Sequence, residues 1–251
     1  MTSNLFLSVI IPTLNEEDHL PKLLDSLCKQ TYAHFETIIV DASSADGTTE
    51  VAETYKNVLR DLKIIESRKR NLPYQRNIGA KKAMGQYFIF FDADVVTSPT
   101  FLEEVCGAIE IGRHVFLTTW IKGDSNSLVD KCMVLMINLF NELGHMIGKP
   151  LAHGPDTIIR SDVFFSIKGF REDLKMVEDY DFSIRVKKAG YDLVILKKPE
   201  LVVSLRRFRS EGRLSVINRW TLGVISLLIN KPKIRKNIHY SMGGHVHTRH
   251  G

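Results

Sequence analysis

FIFFDADVV, Phe88 to Val96, is the stretch on which the reading of the fold turns. Phe88, Ile89, Phe90 and Phe91 form an apolar run too short for a helix, and such a run reads as a buried strand. Asp92 and Asp94 follow with only Ala93 between them. Two carboxylates that close repel, and each raises the pKa of the other. A positive charge between them would remove the conflict.

Outward from this stretch, strands alternate with helices. LSVIIP (Leu7 to Pro12) is a β-branched run stopped by Pro12. His19 to Gln30 carries Leu20, Leu23, Leu24 and Leu27 at helical spacing. Thr37 to Val40 reads as a second strand ending at Asp41, with Asp46 as N-cap of the helix that follows. Lys63 to Ser67 reads as a third strand, and Pro73 to Met84 as a helix stopped at Gly85. This alternation predicts an α/β fold, a mainly parallel central sheet with helices on both faces. Ligands in such sheets bind beyond the carboxyl ends of the strands, where Asp41, Asp92 and Asp94 fall.

The second half is less regular. Val115 to Trp120 and Thr157 to Arg160 read as strands. A long helical pattern runs from Ser127 to Ile147. Its apolar face carries Leu128, Cys132, Leu135, Leu139, Leu143 and Met146, widened by Met133, Met136, Ile137 and Phe140, which reads as a helix buried along that face, with a membrane contact the lesser alternative. EDYDFSIRVKKAGY opens a helix ending near Gly190, in which Asp181 and Arg185 suit an i,i+4 pair. LVILKKPELVVSLRRF reads as one or two strands around Pro199. Then come a basic cluster, an apolar helix over Leu214 to Ile229, more bases, and a His/Gly tail.

Of the 251 residues, 44% are hydrophobic and 25% charged, which describes an ordinary globular protein with a real core. The net charge of +5 suits an anionic small molecule, a membrane surface or nucleic acid, and does not choose among them. No stacking platform or reading helix for nucleic acid is evident. Cys28, Cys106 and Cys132 have no zinc or redox spacing, which favours a reducing, cytoplasmic compartment. MTSNLFLSVIIPTLNEED reads as a first strand, not a signal peptide, and no run of about 18 apolar residues predicts a spanning helix.

The first strand is followed by Pro12, Thr13, Leu14, Asn15, Glu16 and Glu17. That is neither a G-x-G-x-x-G turn nor a Walker loop, so phosphates are not cradled by a glycine-rich helix start. A divalent cation on carboxylates is the other common solution, because Mg²⁺ and Mn²⁺ prefer oxygen and bridge phosphates.

VIIPTLNEE, VDASSADGT, QRNIGAKKAMGQYFIFFDADV and VEDYDFSIRVKKAGY, in that order between Ser8 and Tyr191, resemble family 2 glycosyltransferases of the GT-A fold. The resemblance implies a nucleotide-diphosphate-sugar donor, a divalent metal (Mn²⁺ or Mg²⁺) and inversion at the anomeric carbon. It implies donor contacts from Pro12, Thr13, Asn15, Glu16, Asp41, Arg76, Asn77, Asp92, Ala93 and Asp94, with Asp92 and Asp94 on the metal. Asp179 matches the general base, with Glu178, His153 and Gly154 on the acceptor side. A UDP-sugar is favoured over a GDP- or dTDP-sugar, and the acceptor is a saccharide or a lipid-linked one. Residues 1–204 would form the catalytic domain, with 1–97 for the donor and 98–204 for the acceptor.

Arg206 and Arg207 read either as a solvated face or as ligands of the diphosphate, since arginine matches phosphate geometry. VINRW (Val216 to Trp220) keeps the Arg-Trp of the processive members' Q-x-x-R-W but lacks its Gln, which favours transfer of a single sugar. The extension 205–238 places Trp220 and flanking bases on an apolar helix. That helix suits an anionic bilayer surface on the cytoplasmic face, core packing or a dimer contact. The oligomeric state stays open. Residues 239–251 read as a disordered tail, with a metal role for His245, His247 and His250 the lesser alternative. A sugar-phosphate nucleotidyltransferase would need a basic, glycine-rich first loop, which PTLNEE is not. A non-catalytic nucleotide-sugar or membrane binder would not need Asp41, Asp92, Asp94 and Asp179 together.

Overall fold

The apolar runs become strands of one sheet. In a computed structural model of the protein, which describes residues 4–59, 61–150, 152, 154–174 and 177–228, eight strands hydrogen-bond in the order β3-β2-β1-β4-β7-β6-β8-β5. These are β1 (Leu7–Thr13), β2 (Phe35–Asp41), β3 (Leu62–Glu66), β4 (Tyr87–Phe91), β5 (Val95–Val96), β6 (Phe116–Gly123), β7 (Asp156–Arg160) and β8 (Leu193–Val203). The half read most clearly from sequence, β3-β2-β1-β4, is parallel throughout. Beyond β4 the sheet is mixed: β4 with β7, β6 with β7 and β5 with β8 run antiparallel, and β6 with β8 parallel.

The helices are α1 (Leu20–Cys28), α2 (Thr48–Thr54), α3 (Leu72–Lys82), α4 (Phe101–Gly112), α5 (Leu128–Met146), α6 (Ser161–Ser166), α7 (Glu178–Lys188), α8 (Arg206–Glu211) and α9 (Arg213–Leu228). They cover both faces of the sheet. Hence β4 is apolar at every position: Ile89 and Phe91 join one core with Leu20, Leu23 and Phe101, while Phe88 and Phe90 join the other. On that second face Phe170 and Phe182 stack at 4.4 Å, and Phe90 meets Phe170 edge-on at 5.1 Å.

Two local expectations change. Asp46 was expected at the N-cap of α2, but Gly47 holds that position. Asp46 acts from one residue further out, its Oδ1 accepting from Thr48 N at 3.1 Å. Gly85 does not end α3, which stops at Lys82. A Cβ on Gly85 would lie 2.6 Å from Ser8 N, so the glycine is there to let the chain pass against β1.

The larger correction is α5. Its predicted buried face is the exposed one: Leu128, Leu135, Leu139, Leu143 and Met146 face outward. The buried face carries Asp130, Met133, Val134, Asn138, Asn141 and Gly144. The reason is polar pairing. Asn138 Oδ1 accepts from Ile121 N at 3.1 Å, and its Nδ2 donates to Ile121 O at 2.9 Å. This amide completes the backbone where β6 bulges away from β8 between Thr119 and Ile121. Asp130 Oδ1 accepts from Arg213 Nε at 2.8 Å. Helical spacing identifies an amphipathic helix but not the face that finds partners. Among the described residues no helix is long and apolar enough to cross a membrane.

Candidate active site

The parallel half delivers three chain ends to one rim: Thr13 from β1, Asp41 from β2 and Phe91 from β4, with Asp92 to Asp94 beyond it. A cavity of about 220 Å³ opens there. Its walls include Pro12, Thr13, Glu16, Arg76, Asp92, Ala93, Asp94, Gly154, Glu178, Asp179, Arg206 and Arg207, so most residues singled out in the sequence converge.

Arg76 is the hub. It is fully buried, with Nη2 donating to Asp92 Oδ1 at 2.8 Å and to Gly154 O at 3.0 Å, and Nη1 donating to Glu178 Oε1 at 3.2 Å. Burial opposes its charge, but Asp92, Glu178 and Asp179 outweigh that and hold it protonated. This ties the end of β4 to the start of α7. Asp92 lies on the cleft floor, where burial raises its pKa and Arg76 pulls it back without cancelling the rise.

The second cation is Arg206 of α8. Its Nε lies 3.0 Å from Asp94 Oδ2, and its Nη2 donates to Glu16 Oε1 at 2.7 Å. Glu16 is pushed up to about 7 by burial, against the pull of Arg206, and its Oε2 is buried with no hydrogen-bond partner. His19 is driven down to about 4 by burial and by Arg206, so its neutral ring accepts from Arg206 Nη1 at 3.0 Å. Arg207 pairs with Glu211 at 3.8 Å. Thus the positive charge that FIFFDADVV calls for is supplied by two arginines, one to each carboxylate.

Asp179 stands across the cavity in the first turn of α7. Burial and then Glu178 raise it to about 8. Its Oδ1 accepts from Tyr180 N at 2.9 Å, and a Cβ on Gly154 would lie 3.1 Å from its Oδ2. Val177, just before, adopts φ +58°. A β-branched residue there is strained, at about 1–3 kcal/mol, and the bend presents Glu178 and Asp179 to the cavity.

Three predicted donor residues do not line the cavity. Asp41 is 4% exposed; its Oδ1 accepts from Thr13 Oγ1 at 2.8 Å and Ser44 Oγ at 2.6 Å, its Oδ2 from Ser44 N at 2.8 Å. Asn15, at φ +54°, accepts from Ala45 N at 2.7 Å. Asn77 clips Phe170, donating to its carbonyl and accepting from its N–H, both at 2.9 Å. These three shape the walls. His153 and the histidines at 245, 247 and 250 lie outside the described residues, as does all of 239–251.

Sequence reading missed Gln75 and the apolar lining of the cavity. Gln75 Nε2 donates to Thr13 O at 2.9 Å and Val40 O at 2.7 Å, holding β1 and β2 at the rim. Its only signal is its place beside Arg76. Ile121, Ile137, Phe208 and Trp220 supply that apolar lining, drawn from four separate elements.

A family model described as Glycosyl transferase family 2 matches residues 8–168. The chain belongs to that family. Its GT-A fold is seen in solved relatives: Staphylococcus aureus TarS 1-349 in complex with UDP-GlcNAc superposes with a TM-score of 0.67 at 27% identity, over 79% of this chain and 58% of that one. The poly(ribitol-phosphate) beta-N-acetylglucosaminyltransferase TarS of S. aureus strain MW2 is 29% identical over 187 residues, 71% of this chain and 32% of that protein. A Methanococcus voltae protein named dolichyl N-acetyl-alpha-D-glucosaminyl phosphate 3-beta-D-2,3-diacetamido-2,3-dideoxy-beta-D-glucuronosyltransferase is 28% identical over 210 residues, 75% of this chain and 63% of that protein. The chain therefore spans about a third of TarS and under two thirds of the M. voltae protein.

Proposed function

We propose that the protein is an inverting, metal-dependent glycosyltransferase that moves one sugar from a nucleoside-diphosphate sugar to an acceptor hydroxyl. The observation that carries this reading is that Asp92, Asp94 and Asp179 line one cavity, with buried Arg76 bonding both Asp92 and Glu178, the neighbour of Asp179. The acceptor hydroxyl is a weak nucleophile, so deprotonated Asp179 takes its proton as the oxygen attacks the anomeric carbon. The bond from that carbon to the diphosphate breaks, and its electron pair leaves with the nucleoside diphosphate. With attack from the face opposite the leaving group and no enzyme nucleophile, the configuration inverts. Arg206 and Arg207 stand where two guanidinium groups can meet a diphosphate.

The residues present fit a divalent cation. Asp92 and Asp94 offer oxygen ligands, and Glu16 Oε2, on the same cavity, is a buried acceptor without a hydrogen-bond partner; Arg206 now holds Asp94 and would have to yield it to the cation. Mn²⁺ or Mg²⁺ held by Asp92 and Asp94 would stabilise the charge on the departing diphosphate. TarS in complex with UDP-GlcNAc favours a UDP-sugar for this chain, and the dolichyl phosphate in the M. voltae protein's name favours a lipid-linked acceptor.

The test is release of nucleoside diphosphate from UDP-, GDP- and dTDP-sugars with Mn²⁺, Mg²⁺ or EDTA. Metal-dependent release from one donor, lost in Asp94→Ala and Asp179→Asn, is expected. Failure of every donor to bind at all would overturn the reading.

A further inference from the structure

We propose that the outward face of α5, continued by α9, docks the protein on an anionic lipid bilayer. The inference goes beyond sugar transfer and does not require it. Of the sixteen large apolar side chains exposed among the described residues, nine lie between Leu128 and Ile147 and three on α9. At about 100° per residue the nine fall on an arc of roughly 140°. A patch so concentrated marks an interaction surface, since exposed leucines on a monomer are otherwise scattered.

The charges choose the occupant. Neither acid of α5 faces outward free: Asp130 is 2% exposed and pairs with Arg213, and Glu142 accepts from Trp120 Nε1 at 3.0 Å. α9 has no acid at all. Lys131 and Lys149 are exposed beside the apolar face. After Leu228 the sequence carries Lys231, Lys233, Arg235, Lys236 and Arg249 and neither Asp nor Glu. An anionic bilayer accepts the apolar arc among its acyl chains and the exposed lysines among its headgroups, and the excess of base in the sequence after Leu228 suits the same partner. Half-buried Trp220, edge-on to Phe208 at 5.4 Å, is of the residue type that favours that boundary.

The two helices that carry the face also wall the site: half-buried Ile137 of α5 and Trp220 of α9 line the same cavity as Asp92 and Asp94.

The experiment is flotation of the full chain with phosphatidylcholine vesicles and with vesicles containing about one third phosphatidylglycerol. Binding is expected to the anionic vesicles, at least about ten-fold weaker to the neutral ones, and weakened by salt. Leu139→Glu with Leu143→Glu, both outside the cavity, should weaken binding by about ten-fold per leucine while the urea-unfolding midpoint, which reports folding, is little changed. No flotation on anionic vesicles would overturn the proposal. So would undiminished flotation of the variant, which would assign attachment to the basic tail. A dimer that the variant splits, without vesicle binding, would hand the face to a second copy. None of these readouts depends on turnover, so a failure here and a failure of the transferase reading are distinguishable.

Discussion

Replacing Arg76 by methionine tests the account of the site most directly. Methionine keeps an unbranched stem against Phe170 and removes only the guanidinium, whose carbon lies 5.3 Å from that ring's centre. The Arg76 side chain is 0% exposed and that of its partner Glu178 10% exposed, so the Glu178 carboxylate would stay buried without the guanidinium that it hydrogen-bonds, left with the more distant pull of Arg207. Removing one partner of a buried ion pair costs about 3–5 kcal/mol. The Asp92 side chain is 34% exposed toward the cleft, where water can replace the guanidinium, and this leg adds at most about 1 kcal/mol. The expected loss is therefore about 3–5 kcal/mol near pH 8, measured by urea unfolding.

The pH dependence sharpens the test. Glu178 is already raised above its ordinary 4.5 by burial, with Arg76 pulling it down. Without Arg76 it rises further. A carboxyl raised in the folded state destabilises only where it must ionise; below 4.5 it is protonated in both states and the penalty vanishes. The deficit of Arg76→Met relative to the parent protein should shrink as pH falls from 8 toward 5. A deficit under about 1 kcal/mol at pH 8, or one of equal size at pH 8 and pH 5, would refute the reasoning.

Three further outcomes are expected. With Asp179 raised to about 8, kcat/KM should climb about ten-fold per pH unit up to that value and then level. Asp179→Asn should lower kcat/KM by on the order of 10²–10⁴ and remove the climb; a climb that persists would assign the base elsewhere. The same raised carboxyl lets the folded state hold a proton that the unfolded chain releases between 3.8 and about 8, so stability should fall as pH rises through that window. Urea titrations of the Asn variant should show that slope reduced. Arg206→Ala frees Asp94 and Glu16, so Mn²⁺ binding without donor, read by electron paramagnetic resonance, should tighten; unchanged or weaker binding would mean Arg206 does not compete for the site. Gly85→Ala sets a Cβ 2.6 Å from Ser8 N and 2.8 Å from Leu7 C, both backbone atoms that cannot step aside. A loss of about 1–3 kcal/mol is expected, and a melting temperature unchanged within about 1 °C would contradict the close approach.

The first half of the chain was legible because its signals are local. β1, β2 and β4 are largely apolar runs whose length and composition forbid a surface helix; β1 and β2 end in Thr13 and Asp41 at the rim, and Asp92 follows β4 there. α1 buries Leu20, Leu23, Leu24 and Leu27, the four its spacing names. The pair Asp181–Arg185 forms at 2.7 Å as the i,i+4 rule requires. The β8 strand was harder: one strand runs through Pro199, and Arg206, Arg207 and Phe208 turn into α8 instead of extending it.

The sequence by itself determined most of the alternation of strands and helices and the acids at the strand ends, because these depend on composition and spacing along the chain; the family was read from the resemblance of four motifs kept in order. Only the tertiary structure decided which charges meet. Arg76 reaches Glu178 across 102 positions and Arg206 reaches Glu16 across 190, contacts that no local pattern records. It also decided the orientation of α5. The helix's apolar arc was plain in the sequence, but its Asn138 amide found the open backbone of Ile121 and its Asp130 found Arg213. A buried polar group must be paired wherever its partner lies, and that demand turned the leucines outward.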